Sequence, residues 1–382
     1  MRTIWKFLTA FALGILLVAC SGGGSSGFWI QLGGALNINP NQMAVQPSLA
    51  LDTASKPVVA WAEVFGPGNH NIYVKRWNGT LWVQLGNQLD VSTEGDSSWP
   101  CLAVDASGSP LVAWEESRNI YAKRWNGTSW VQLGTALNVI PGVAVGNPSL
   151  ALDAAGNPLV AWHEYGPNGT YNVYIKRWNG NGWTLLGGAL NTDTTKDAMY
   201  PNLALDTSGN PVVAWVETVT PILARAYVKR WSGTNWVQVG GPVDANNASW
   251  VSLALNASAN PVVALVGADL RVKYWDGSSW VQLGGAVGSD ATFARLSLDA
   301  GGYPVVAWTK ALSATQRRVY VNRWNGTSWV QVGGGPLNIN ATQDALFPSL
   351  ALDVTGQPVV AWQESASSTS PVSYVWVKRF LP

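Results

Sequence analysis

The sequence predicts an all-β fold, a seven-bladed β-propeller with four antiparallel strands per blade. Three observations predict it. One motif recurs seven times at spacings of 43 to 54 residues. Each copy holds four short apolar runs bounded by turn residues. No segment after residue 27 shows a helical period over three turns. A repeat of this length cannot bury its apolar faces alone and must stack on its neighbours.

The clearest copy runs Pro148-Ser-Leu-Ala-Leu-Asp153, Gly156-Asn-Pro158-Leu-Val-Ala-Trp162-His-Glu164, Tyr174-Ile-Lys-Arg-Trp178 and Trp183-Thr-Leu-Leu-Gly187. The Ala-Trp step of the second run falls at Trp61, Trp114, Trp162, Trp215, Trp308 and Trp362, with Leu265 in the fifth copy. The first and second runs are joined by Asp-x-x-Gly-x-Pro, as in Asp105 to Pro110. Asp accepts from nearby backbone N–H groups, Gly permits positive φ and Pro opens the next strand. The third and fourth runs are joined by Asn-Gly-Thr or a relative, at Asn78, Asn126, Asn179 and Asn325, a strong hairpin signal. Asn-Gly-Thr also matches a glycosylation sequon at Asn78, Asn126 and Asn325, but the hairpin turn accounts for it.

The chain finishes on a third run, Val375-Trp-Val-Lys-Arg-Phe380, and a lone fourth run, Phe28-Trp29-Ile-Gln-Leu-Gly33, stands before the first repeat. The N-terminal strand is therefore expected to complete the last blade and close the ring. An open solenoid would leave that strand unpaired and an edge exposed. Of the 23 tryptophans, six belong to the second run, six to the third and seven to the fourth. Large rings at repeated places are expected to fill the wedges between blades.

Residues 1–20 read as a lipoprotein signal peptide. Arg2 and Lys6 form its basic end, and Phe7 to Val18 is too short to span a bilayer. It ends in Leu17-Val18-Ala19-Cys20, which resembles the bacterial lipobox. That resemblance implies a lipid on the Cys20 thiol, export, and anchoring to the cell envelope, in the outer membrane where one exists. Residues 21–27 are a Gly/Ser tether, and residues 28–382 are the propeller. Cys101 then remains as a lone thiol, so no disulfide forms within the mature chain. Without Arg2 and Lys6 the 23 basic residues fall to 21 against 22 acidic ones. This balance argues against a nucleic-acid partner, and a monomer is expected.

The two connections of variable length in each blade share one face, the usual place for function on a rigid scaffold. Short crossings around blades 5 and 6 predict a notch in that rim. Two sets of residues point toward this face. Glu63, Glu116, Glu164, Glu217 and Glu364 follow the second-run tryptophans. Five carboxylates at one height suit cation binding or acid–base work, or pair with Lys75, Lys123, Lys176, Lys229 and Lys378. Blade 6 has Lys310 for Glu and Asn322 for Lys, a joint change that favours cross-strand ion pairs. The second set precedes the first run: Trp99, Tyr200, Trp250, Phe293 and Phe347, with Gln46 and Asn147 in the other blades. These are the candidate ligand-binding residues, expected around the mouth of the central channel. Their faces either stack on flat ligands such as sugars or pack on the following prolines and neighbouring blades.

No catalytic residue, metal ligand or cofactor is assigned. His70 and His163 are too far apart in sequence to suggest a metal site by spacing, and no hydrolase or phosphate-loop motif appears.

Leu152-Asp-Ala-Ala-Gly-Asn-Pro-Leu-Val-Ala-Trp162 resembles the strand–turn–strand core of NHL-type repeats and bacterial propeller lectins. The resemblance implies a binding protein, with a glycan or cell-envelope polymer as ligand. By analogy with propeller lipoproteins of outer-membrane assembly, the alternative is a scaffold for an envelope protein. A sialidase-like glycan hydrolase is a second alternative. The sialidase Asp box is not matched, because Asp153 and Gly156 stand one residue too far apart.

Overall fold

The computed structural model describes residues 27–382, apart from 67, 68, 93, 94, 314, 368 and 369. The lipid-attachment residue, Cys20, and the leader lie outside the described residues. Among those described there is no helix, and the strands form seven antiparallel sheets. In blade 3 the strands are Val145–Leu152, Pro158–Tyr165, Tyr171–Trp178 and Trp183–Leu185, paired in sequence order. The other blades repeat this plan, with the first strand innermost.

The turns form as their residues dictate. In blade 1, Asp52 Oδ1 accepts from the N–H groups of Ala54 and Lys56, both at 2.9 Å. Asn78 Oδ1 accepts from Thr80 N at 2.9 Å and Leu81 N at 3.0 Å, while Gly79 takes φ 116°.

The ring closes through blade 7. Phe28–Gln31 pairs antiparallel with Ser373–Leu381, Trp29 opposite Phe380 and Gln31 opposite Lys378. Three sets of bonds run from blade to blade. At the rim, each fourth-strand indole donates to a backbone carbonyl of the preceding blade: Trp82 to Leu32, Trp183 to Leu133, and Trp29 to Val332 across the closure. Lower down, third-strand arginines reach the first turn of the next blade, as Arg177 Nη2 does to Gly209 O at 2.6 Å. Blade 5 carries Tyr274 there. Around the channel, a side chain on six of the seven first strands accepts from a leucine N–H of the following blade, as Ser349 Oγ does from Leu49 at 2.9 Å.

The core lies in the wedges between blades. Trp61 packs with Val359 and Ala361 of blade 7, and Trp114 with Val58 and Ala60 of blade 1. Trp61, Trp114, Trp162, Trp215 and Trp362 are fully buried. Third- and fourth-strand tryptophans stack as neighbours, as Trp77 on Trp82 with ring centroids 5.4 Å apart.

The rim departs from the expected notch. In blade 5 the second strand ends at Val266 and the third begins at Asp269, a short hairpin. Blade 6 instead has a tall one, Pro304–Ser313 with Gln316–Trp324, as has blade 4. The low hairpins are therefore those of blade 5, flanked by taller blades, and of blade 2, where Pro110–Glu116 turns within two residues into Asn119–Trp125.

Candidate functional site: the mouth of the central channel

Six of the seven first strands carry a register shift, between Ala291 and Phe293 in blade 6 and as one shared two-residue bulge that shapes the mouth in the other five. Pairing skips between Val45 and Ser48, Ser98 and Cys101, Gly146 and Ser149, Met199 and Asn202, and Leu346 and Ser349. The first skipped residue takes a left-handed backbone in each: Gln46 φ 55°, Trp99 51°, Asn147 48°, Tyr200 56° and Phe347 51°. Residues with side chains rarely adopt this region, and a bulge is a device that re-aims a side chain. The candidate residues thus sit inside the first strands rather than before them. The bulges are tied to each other: Gln46 N donates to Gln363 Oε1 at 2.9 Å, and Trp99 N to Gln46 Oε1 at 2.8 Å.

The structure brings all five sequence-predicted aromatic residues together. They line one cavity of about 190 Å³ with Gln46, Asn147 and the residues beneath them. The rings touch in a chain: Trp99 edge-on to Phe347 at 5.5 Å, Phe347 to Phe293 at 4.2 Å, Phe293 to Trp250 at 5.4 Å, and Trp250 to Tyr200 at 5.4 Å. Trp99, Tyr200, Phe293 and Phe347 are half-buried. Trp250 is only 8% exposed, and its Nε1 donates to Ala294 O at 3.0 Å. Its packing holds the cluster together, so the open aromatic surface belongs to the other four.

Sequence reasoning missed what lies below. Two residues past Gln46, Asn147 and the five aromatic residues stand Ser48, Cys101, Ser149, Asn202, Ser252, Arg295 and Ser349, a second ring of which all but Ser252 line the same cavity. Arg295 is the odd member, and its guanidinium lies 5.0 Å from the centroid of the Trp250 ring. Aligning Phe293-Ala-Arg-Leu296 with Trp99-Pro-Cys-Leu102 was the signal that would have found it.

The five Trp-x-Glu carboxylates are not in cross-strand ion pairs. The register sets Glu63 opposite Asn71 and Lys75 opposite Val59. Glu63 Oε2 accepts from Trp61 Nε1 and Ile38 N, both at 2.8 Å, and Oε1 from Asn39 N at 2.6 Å. Lys75 Nζ donates to Leu36 O at 2.7 Å and sits 5.7 Å from the Trp61 ring centroid. Glutamate and lysine therefore grip the same crossing loop, one by its N–H groups and the other by its carbonyls. Burial lowers the pKa of Lys75, with Glu63 pulling the other way. The grip recurs at Glu116, Glu164, Glu217 and Glu364. In blade 6, Asn322 Oδ1 takes the Trp308 indole hydrogen at 2.8 Å. The joint substitution thus preserves an acceptor for the tryptophan. These buried carboxylates are committed to holding loops, which removes them as acid–base candidates.

Among the described residues no group of three or more His, Cys, Asp or Glu is placed to hold a metal. His70 Nδ1 meets Asp96 Oδ1 at 2.6 Å on the surface. His163 is buried, edge-on to Tyr171 and Tyr200, and burial lowers its pKa to about 4. Glu115 is half-buried in the neighbouring blade. Burial raises its pKa to about 7, against a pull from the Ser98 hydroxyl. A carbon built on Gly146 would meet both side chains.

These two groups give opposing pH dependences. As pH falls from about 7 toward 5, folded Glu115 binds a proton that the unfolded chain does not yet hold, and stability rises. Over the same range unfolded His163 binds one that the buried ring refuses, and stability falls. Each full shift is worth roughly 3 kcal/mol at most. Glu115→Gln is therefore expected to leave a protein whose Tm falls on acidification, and His163→Gln one whose Tm rises. Thermal unfolding across this range checks both, and flat profiles in the two variants would contradict the assignment.

No family model matches the chain, and no curated protein matches its sequence. Solved structures do. A protein of unknown function from Dyadobacter fermentans aligns over 91% of this chain and 96% of its own, at 12% identity and a TM-score of 0.53. A Hadza microbial sialidase aligns over 83% and 75%, at 14% identity and 0.52. Trypanosoma rangeli sialidase with the inhibitor DANA aligns over 88% of this chain and 55% of its own, at 12% identity and 0.50. At these identities the likeness is one of fold, and the chain is a seven-bladed β-propeller.

Proposed function

We propose that the protein is a non-catalytic binding module of the cell envelope. It is tethered through a lipid on Cys20 and holds a glycan or envelope polymer at the channel mouth. The observation that carries this reading is the aromatic-lined cavity on the variable face. Trp99, Tyr200, Phe293 and Phe347 supply flat apolar surface there, and Gln46 and Asn147 supply amide groups. Apolar walls with a few placed polar groups are the usual make-up of a ligand site. The sialidases among the fold neighbours act on glycans by their names. Most glycosidases, sialidases with their tyrosine nucleophile excepted, use two carboxyl groups about 5–9.5 Å apart, and among the described residues no carboxylate lines this cavity.

A glycan-array screen of residues 27–382 tests the reading. The wild-type propeller is expected to bind, and Trp99→Ala with Tyr200→Ala to lose at least tenfold in affinity while unfolding normally. Binding that survives both substitutions moves the site to the rim. A second reading, a scaffold for an envelope protein, draws on apolar residues at hairpin tips of the same face, Phe65 at 61% exposure and Ile222 at 91%. Under that reading, Phe65→Ser with Ile222→Ser abolishes capture of an envelope protein, and the glycan array stays blank.

A further inference from the structure

The polar ring beneath the aromatic residues is an inter-blade hydrogen-bond circuit with one break. Leu49 N donates to Ser349 Oγ, Leu102 N to Ser48 Oγ, Leu150 N to Cys101 Sγ, Leu203 N to Ser149 Oγ, Leu253 N to Asn202 Oδ1 and Leu296 N to Ser252 Oγ, at 2.7 to 3.2 Å. In the alignment of the repeats the seventh place in this set falls to Leu350 N, with Arg295 standing where the other blades carry the acceptor. Arginine has five donors and no acceptor. At this one point the acceptor is replaced by a guanidinium, which can only donate.

The charge is also uncompensated. Arg295 is the only charged residue lining the cavity, and no ion pair of the described residues includes it. Its nearest titratable neighbour, the Cys101 thiol, is pushed up by burial and stays neutral. Burial lowers the pKa of Arg295 in turn. An enclosed cation without a counter-charge is costly, and convergent donors around it make an anion site.

We propose that the central channel binds a carboxylate, held by the guanidinium of Arg295 and the N–H of Leu350, beneath the aromatic mouth. The planar fork of arginine takes a carboxylate through two parallel bonds. Trp250 backs the guanidinium plane, and Ser349 and Asn202 offer further polar groups within the same cavity. The cavity has room for several waters or a small organic acid. This site does not depend on the glycan reading. A free carboxylic acid and an acidic sugar carry the same recognised group, and the test separates them.

The probes are sodium acetate, sodium glucuronate, glucose and sodium chloride at equal ionic strength. They are titrated into the protein and read by calorimetry and tryptophan fluorescence. The variant is Arg295→Ser, which restores the residue most blades carry and gives Leu350 N an acceptor. It is therefore expected to fold, with Tm equal to or above wild type. The expected result is saturable binding of acetate or glucuronate, weakened at least tenfold by Arg295→Ser, with no response to glucose. Acetate and glucuronate binding alike would make the ligand a simple carboxylate. Tighter glucuronate binding, lost on Trp99→Ala, would make it an acidic sugar. A response to chloride equal to that of acetate, or carboxylate binding unchanged in a folded Arg295→Ser protein, would overturn the proposal.

Discussion

A chain lacking residues 28–31 is expected to lose cooperative unfolding and to associate. These residues pair with the last strand of blade 7, and Trp29 both bonds Val332 O and packs on Phe380 at 5.4 Å. Without them the strand Ser373–Leu381 becomes a free edge of unpaired N–H and C=O groups, a template for pairing with another chain. The loss spreads along the same segment. Leu32 N and Leu36 N bond Val377 O and Val375 O at 2.9 Å, and both leucines are buried between blades 7 and 1. Denaturant unfolding with light scattering is the measurement. Scattering should rise, and the transition should broaden and move to lower denaturant. Adding residues 28–31 as a separate peptide should recover little, because the strand would no longer be delivered by the chain. An unchanged sharp transition would mean that the ring does not need its closing strand.

The second large effect is expected at Glu164. Its carboxylate accepts from Trp162 Nε1 at 2.8 Å and Val139 N at 3.0 Å, and also from Ile140 N. The residue is fully buried. Removing the acceptor strips one buried donor, the Trp162 indole, and two part-buried ones, so Glu164→Ala is expected to cost about 3–5 kcal/mol. Glu164→Gln keeps one carbonyl oxygen and should cost about 1–3 kcal/mol. Equilibrium denaturation of the two variants checks the order. If the glutamate were instead paired with lysine, Lys176→Met would be as damaging as Glu164→Ala. The observed geometry gives Lys176 only a carbonyl, Asn138 O at 3.1 Å, and the Trp162 ring, so the lysine variant is expected to be the milder.

The fold was legible because its signals are local and repeated. Asn-Gly turns, Asp-x-x-Gly-x-Pro turns and the tryptophan positions each specify the same blade many times over, and the two chain ends together complete the last blade. The gathering of Trp99, Tyr200, Trp250, Phe293 and Phe347 followed from that register. What escaped was anything decided by which backbone atoms approach a side chain. Glu63 and Lys75 read as partners because opposite charges recur together, yet their partners are amide and carbonyl groups of a crossing loop. The bulge at Gln46 and its equivalents leaves no residue signature beyond the proline that often follows. Arg295 was readable in the alignment of blades, but its meaning required knowing that this position accepts from a leucine N–H of the next blade in the other six.

Blade 6 keeps its rim bond, Trp329 to Leu283 O at 3.0 Å, but departs from its neighbours in the turn arginine, the inner circuit and the loop grip. Tyr274 leaves its first turn without the arginine that other blades receive, Arg295 breaks the inner circuit on its far side, and Lys310 with Asn322 replaces the loop grip. Toward blade 7 it is held by Arg323 to Gly356 O on the turn side, by Trp29 to Val332 O at the rim, and on the loop face by Arg317 and Asp344 in a two-fold contact at 2.6 and 2.9 Å. The ring therefore has a seam, and it does not coincide with the join between the chain's two ends. A wheel sewn shut at blade 7 has its fewest polar stitches between blades 5 and 6, where the turn arginine and the loop grip are both replaced, and Arg295 lies on the channel wall one boundary further on.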